Sequence, residues 1–273
     1  MLDAYALRML PNFIIAGPPK SGTTSLQFYL DKHPDIYVKG EAHFFNKNYK
    51  KGLEWYEAYF KNYQNEKAIG EKSPSYFYSK DVPSRIKKHI PDVKLLFIFR
   101  DPIKRAYSQY WHNVRHATEK AGTFEIAVDN ELKDMDNDEY IYLKISNYIM
   151  HLKRWGEYFS KSKMFFLTLE NLNKDVLYEI LEFLNVDPNF NFGELKKFNV
   201  GGSVRSKSLA KFAQNKFIKK IPYLSEGIKR KVNMRKGKTP EISSSTRKKL
   251  KSYFEPYNNE LAEFTGLDLS AWK

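Results

Sequence analysis

The stretch Gly17-Pro18-Pro19-Lys20-Ser21-Gly22-Thr23-Thr24-Ser25 holds the residue types that grip an anion. Lys20 supplies a point charge, and Ser21, Thr23, Thr24 and Ser25 supply hydroxyl donors. Between a strand and a helix, such a loop also offers backbone N–H groups and the positive end of the helix dipole to a phosphate. It departs from the Walker A pattern because Lys20 precedes the second glycine and no Gly-Lys-Ser/Thr occurs, which disfavours a kinase or ATPase. The plainer alternative is a turn whose polar residues only cap the helix. Further along, Arg100 offers a planar fork suited to phosphate oxygens, and Ser108, eight positions later, offers a directional hydroxyl. The alternatives are an Arg100 paired with Asp101 or Glu71 and a Ser108 on the outside of a helix. Glu41 and His43 are two residues apart, so in an extended segment both point the same way. The chain has no Cys, which excludes disulfides, thiolate zinc sites and a cysteine nucleophile.

These groups need a frame. Asn12–Gly17 is a short apolar run ending in Gly-Pro-Pro, and Ser21–Leu30 follows without Pro or Gly after Gly22, predicting strand, turn, helix. Lys94–Phe99 is apolar on both faces, as a central parallel strand is, with Asp101 suited to an N-cap and Pro102 to the first position of a helix running to about His116. Met164–Leu169 and the stripe Leu172, Val176, Leu177, Ile180, Leu181 and Leu184 make a third β-then-α unit. Three such units argue for a parallel sheet covered on both faces. Tyr140–Phe159 reads as one long helix. Ser245–Phe264 reads as another, which Pro256 is expected to kink or interrupt. With no repeats and no long linker, the chain is expected to be one α/β domain.

The 273 residues, 42% hydrophobic and 16% aromatic, are long and apolar enough for a packed core, which excludes bulk disorder. No run approaches the ~20 apolar residues of a membrane span, the start has no signal-peptide pattern, and no Asn-x-Ser/Thr acceptor occurs. A cytoplasmic, bacterial-like enzyme is the expectation, with an excised lumenal Golgi domain as the alternative. The net charge of +14 predicts attraction to anions, and residues 205–251 alone account for it, with 16 Lys or Arg against Glu226 and Glu241. That segment is either a solvated basic face or a wall beside an anion site.

Pro-x-Lys-Ser-Gly-Thr-Thr-Ser-Leu after a short strand resembles the 5′-phosphosulfate loop of the sulfotransferases that use 3′-phosphoadenosine 5′-phosphosulfate (PAPS). The likeness continues through Leu30-Asp31-Lys32-His33-Pro34-Asp35, Glu41-Ala42-His43-Phe44-Phe45-Asn46, Gly52-Leu53-Glu54-Trp55-Tyr56 and Glu71-Lys72-Ser73-Pro74-Ser75-Tyr76-Phe77. These blocks look like the heparan sulfate branch, nearest the N-sulfotransferase module and the 3-O-sulfotransferases. The match is closest over residues 12–116 and returns at Lys236–Pro240 and Gly266–Trp272. It implies a P-loop-like α/β fold in which a central parallel sheet flanked by helices binds the nucleotide.

The resemblance also implies roles. Lys20, Ser21, Gly22, Thr23, Thr24 and Ser25 hold the 5′-phosphate, Arg100 and Ser108 the 3′-phosphate, and Arg235, Lys236, Gly237 and Lys238 a loop that closes over the nucleotide. The His that serves as base in the cytosolic branch is missing, and Glu41 stands at the catalytic carboxylate of the heparan sulfate branch. Lys20 and Lys72 stabilise charge on the sulfuryl and bridging oxygens, and His112 lines the site, while the two-residue spacing of His43 from Glu41 suits it to orient Glu41 or the acceptor. No metal is required. The expected acceptor is a hydroxyl, or an amine, of a carbohydrate or glycoconjugate, with no nucleic-acid partner. Alternatives are a sulfotransferase acting on a non-carbohydrate small molecule and a noncatalytic polyanion-binding module. The plainer readings are a solvated Glu41, a Lys72 paired with Glu71, and a His33 that ends the first helix without doing chemistry.

Overall fold

Lys94–Phe99 forms strand β4, and five of its six residues are buried, because both faces of the strand are covered. The structure, a computed structural model, describes residues 9–116, 118–135, 137, 141–195, 203–204, 234–235 and 239–272. β1 (Phe13–Ile15) lies on one side of β4 and β5 (Met164–Thr168) on the other. β3 (Ala68–Lys72) follows β1, and β2 (Ile36–Lys39) forms the edge. The order is β2-β3-β1-β4-β5, with every pair parallel.

Side chains alternate across this sheet with the strand period of two. Ile14, Leu95, Phe97 and Phe99 face a cluster containing Phe44, Tyr56, Phe77, Tyr148 and Trp155. Phe13, Ile15, Leu96 and Ile98 face a second cluster with Leu26, Leu30, Leu177, Ile180 and Leu181. The second cluster is supplied by α1 (Thr23–Leu30) and α8 (Lys174–Leu184), the first largely by α2 (Leu53–Ala58), α3 (Val82–His89) and α7 (Tyr148–Gly156). The Asn173 side chain caps α8, accepting from the Val176 amide at 2.9 Å.

Contacts group the chain into two units. The first comprises Met1–Arg100, Asn147–Lys196 and Tyr257–Lys273, and the second Asp101–Ser146 and Lys197–Pro256. The second contains α4 (Pro102–Arg115), α5 (Phe124–Lys133), α6 (Leu143–Ser146) and a two-stranded antiparallel pair, β6 (Ser203–Val204) with β7 (Met234–Arg235). Its core gathers Ile103, Tyr110, Phe124, Val128, Leu143, Leu250 and Phe254. Asp101 caps α4 as expected, its Oδ1 accepting from Ile103 and Lys104 amides at 2.9 and 3.2 Å. Inside this unit the fully buried Arg105 donates to Ser146 Oγ at 2.6 Å and to the carbonyls of Ile141 and Tyr142. The Glu131 carboxylate accepts the amides of Tyr142, Leu143 and Lys144 and so closes the start of α6.

One expectation fails, and of the kink or interruption expected at Pro256 the interruption is absent. The long helix over Tyr140–Phe159 is two, α6 and α7, divided at Asn147, whose ψ of 79° is not helical, where the chain passes from one unit to the other. Conversely, α9 (Ser244–Thr265) runs through Pro256 without interruption. Its Leu250 and Phe254 join the core of the second unit while Tyr257, Leu261 and Phe264 join that of the first, so packing on both sides of Pro256 outweighs the one lost amide bond. Lys236, Gly237 and Lys238, with most of the basic segment, lie outside the described residues.

Candidate active site

In a parallel sheet the carboxyl ends of the strands share one edge, where ligands bind. Here the Gly17–Ser25 loop leaves β1, Glu41 follows β2, Lys72 ends β3 and Arg100 follows β4. Ile15 is in register with Lys72, and Lys39 with Glu71, which sets these segments side by side.

The loop fits an anionic group. Gly22 caps α1 at φ 100° and ψ 8° with no side-chain bond to the helix, so the cap residue itself supplies no side-chain partner to the first amides of α1. Ser21, Thr23 and Ser25 are buried, and the Ser21 hydroxyl has no hydrogen-bond partner among the described residues. At Gly17 an added Cβ would stand 2.6 Å from the Ile98 carbonyl oxygen, so the loop leaves the sheet in close contact with β4. Lys20 has a φ of 72°, and Arg100 Nη1 donates to its carbonyl at 3.3 Å. Arg100 is therefore turned to the loop, Asp101 serves the α4 cap, and Glu71 is engaged elsewhere.

Glu41 accepts from two sides. Lys72 Nζ lies 3.1 Å from Oε1 and His43 Nε2 3.1 Å from Oε2. Lys72 is 8% exposed while Glu41 is 45% exposed, so a nearly buried ammonium holds a carboxylate that solvent reaches. The pairing of Lys72 with Glu71 is not found. The Glu71 carboxylate is fully buried and accepts from Tyr56 Oη and Ser73 Oγ at 2.5 Å and from Tyr76 Oη at 3.1 Å. Burial pushes this carboxyl above its ordinary range, against the pull of the three hydroxyls. The same hydroxyls anchor the neighbouring chain, since Ser73 Oγ accepts the His43 amide and Tyr76 Oη the Phe45 amide.

His43 has a φ of 50°. Among the described residues four other than glycine have positive φ, namely Lys20, His43, Asn65 and Asn185. Asn and His are enriched in this region while Lys adopts it rarely, and both Lys20 and His43 lie in the two segments just described. Such outliers concentrate at functional sites. Burial, helped by the Lys47 charge, lowers the His43 pKa below its ordinary value despite Glu41.

Ser108 and His112 lie on α4 in the second unit, both half-buried. The His112 ring lies 4.1 Å from that of His116, centroid to centroid. Arg235 is described only as part of β7, opposite Ser203, and β6 packs beside α4. His33 is buried and structural, with Nδ1 accepting the Asp35 amide and Nε2 3.0 Å from the Asp187 carbonyl. Sequence reasoning gave no role to Tyr56, Ser73, Ser75, Tyr76 or Asn46, which hold the Glu41 segment. All stand inside the blocks that carried the resemblance. Among the described residues no cluster of three or more His, Asp or Glu has metal-site geometry, and no helix is long and apolar enough to cross a membrane.

Comparison with known proteins finds relatives of this sequence and fold. The chain is 32% identical to mouse bifunctional heparan sulfate N-deacetylase/N-sulfotransferase 4, over 96% of its own length and 31% of that protein's. It is 30% identical to human heparan sulfate glucosamine 3-O-sulfotransferase 3B1, over 96% of its own length and 65% of the relative's. For mouse heparan sulfate glucosamine 3-O-sulfotransferase 5 the identity is also 30%, over 97% and 75%. The chain thus spans less than a third of the bifunctional protein and just under two thirds of the human one. A crystal structure of a sulfotransferase from Alicyclobacillus acidocaldarius superposes with a TM-score of 0.71 at 25% identity, covering 96% of this chain and 98% of that one. A mouse sulfotransferase complexed with PAP shares the fold, at a TM-score of 0.56 and 17% identity over 94% of this chain and 87% of that one. The sequence model of the sulfotransferase domain matches residues 10–266, and the chain belongs to the sulfotransferase family.

Proposed function

We propose that the protein transfers a sulfuryl group from PAPS to a hydroxyl or amine of a carbohydrate acceptor, with Glu41 as the general base. The observation that carries this reading is Glu41 itself, solvent-reached and accepting from both Lys72 and His43. A carboxylate so placed takes the acceptor's proton as its oxygen or nitrogen attacks. PAPS supplies an activated sulfuryl group whose transfer leaves a phosphate oxygen carrying negative charge. The Gly17–Ser25 loop and Arg100 would hold its two phosphate ends, together with Ser108 and the segment Arg235–Lys238. Lys20 and Lys72 supply cations for the charge that develops, and His112 is a further residue that the resemblance assigns to the site.

A saccharide acceptor is supported by the relatives, whose names specify heparan sulfate and its glucosamine. The family domain spans both contact units, in keeping with one sulfotransferase domain. Isothermal titration with 3′-phosphoadenosine 5′-phosphate and transfer of radiolabelled sulfate to a panel of glucosamine-containing oligosaccharides test the proposal. Nucleotide binding that weakens in Arg100→Ala, with label recovered in saccharide, is expected. Absence of nucleotide binding by the wild type overturns it.

A further inference from the structure

His43 reaches Glu41 through one ring nitrogen and Ser75 through the other, and in a neutral ring the Glu41 carboxylate, an acceptor only, sets the direction of the protons. The Lys47 amide can only donate, and it lies 2.7 Å from Asn46 Oδ1. That orients the Asn46 amide so that Nδ2 donates, to Ser75 Oγ at 2.9 Å and Ser79 Oγ at 3.3 Å. Ser75 Oγ accepts from Asn46 through one of its two lone pairs and keeps its single proton available to donate to His43 Nδ1 at 2.9 Å. An Nδ1 that accepts leaves the proton of a neutral imidazole on Nε2, 3.1 Å from Glu41 Oε2. The chain begins at an obligate donor and ends at an obligate acceptor, and every link is satisfied.

We infer that Ser75 and Asn46 are positioning residues that fix His43 as the Nε2–H tautomer and so aim its proton at Glu41. The inference rests on the reading of Glu41 as the base. In the opposite tautomer an imidazole lone pair would face the carboxylate, and Oε2 would lose its donor. Ser75 also opposes protonation of Nδ1, because an accepted hydrogen bond stabilises the neutral ring. The charged groups that act on the ring are Glu41, Lys47 and Lys72.

Long-range proton–nitrogen NMR of protein labelled with nitrogen-15 in histidine reads the tautomer directly, with His43→Asn identifying the signal. The expected result is an Nε2–H pattern at pH 7.5 in the wild type. In Ser75→Ala the His43 signals should shift toward a tautomer mixture or the imidazolium. The same substitution should lower kcat about ten-fold, the scale of one lost hydrogen bond, with the KM for PAPS unchanged, and should raise the pH of the acid limb of kcat. Ser75→Thr, which keeps the hydroxyl, should restore both the pattern and kcat. An Nδ1–H pattern in the wild type, or a Ser75→Ala protein with wild-type nitrogen shifts and kcat, overturns the inference. Failure of the base assignment appears separately, as an active Glu41→Gln, and leaves the wild-type NMR pattern untouched.

Discussion

Lys72, the last residue of β3, puts its ammonium 3.1 Å from the carboxylate of Glu41, which follows β2. Adjacent parallel strands therefore bring an almost buried cation to a carboxylate that remains open to solvent. Neither residue belongs to a contiguous motif with the other. The pair exists because β2 and β3 are neighbours in the sheet.

Removing the charge of Glu41 tests that pair most directly. Glu41→Gln should lower kcat by about 10²–10⁴, the usual contribution of a general base. It should bind 3′-phosphoadenosine 5′-phosphate with near wild-type affinity, as measured by titration calorimetry.

Lys20→Ala and Arg100→Ala each remove a cation from the proposed phosphate sites. A hydrogen bond to a charged group contributes about 1.5–3 kcal/mol, so each variant should bind the nucleotide about 10- to 100-fold more weakly. The Arg100 variant also releases the Lys20 carbonyl, and the two losses should be less than additive in a double-mutant cycle.

Gly22 has a φ of 100°, and a Cβ there would lie 2.7 Å from Leu169 Cδ1. Gly22→Ala should destabilise the fold by about 1–3 kcal/mol, read as a lower denaturant midpoint with an unchanged m-value. Nucleotide binding should weaken too, since the amide that opens α1 shifts with it.

His43 couples stability to pH. Its folded pKa lies below its ordinary value, so between the two the unfolded chain binds more protons than the folded one. The stability His43 confers is then complete above the unfolded value of about 6.5 and is lost as pH falls through the folded pKa. His43→Asn keeps a residue that tolerates positive φ and removes this titration. The wild type should lose stability relative to that variant on going from pH 7.5 to pH 5.5, as followed by urea unfolding at a series of pH values. A constant difference would dissociate His43 from the effect.

Much of the frame is legible in the sequence because its signals are local. Lys94–Phe99 is a strand over the full predicted range, and Asp101-Pro102 starts α4 through the expected cap. β3 gives no such signal, because Ala68-Ile69-Gly70-Glu71-Lys72 has a glycine and two charged residues, yet all five are buried. Its charges are tolerated inside only because Tyr56, Ser73, Tyr76 and Glu41 meet them, partners that no periodicity reveals. The same holds for the site. Lys20, Glu41, Lys72 and Arg100 stand out by type and motif, whereas Ser75 and Asn46 matter through bonds across 32 and 29 positions of sequence separation. The division at Asn147 was hidden because apolar residues on both sides continue one helical stripe, while tertiary packing decides where the helix stops.

The left-handed backbone at Lys20 sets thermal robustness against turnover. Glycine at this position would relieve the torsion and abolish the cation, so a library of variants screened for heat resistance alone should enrich Lys20→Gly while catalysis disappears. Directed evolution of this enzyme therefore needs an activity gate at each round, and a thermally hardened but inert clone altered at residue 20 would be the trade-off made visible.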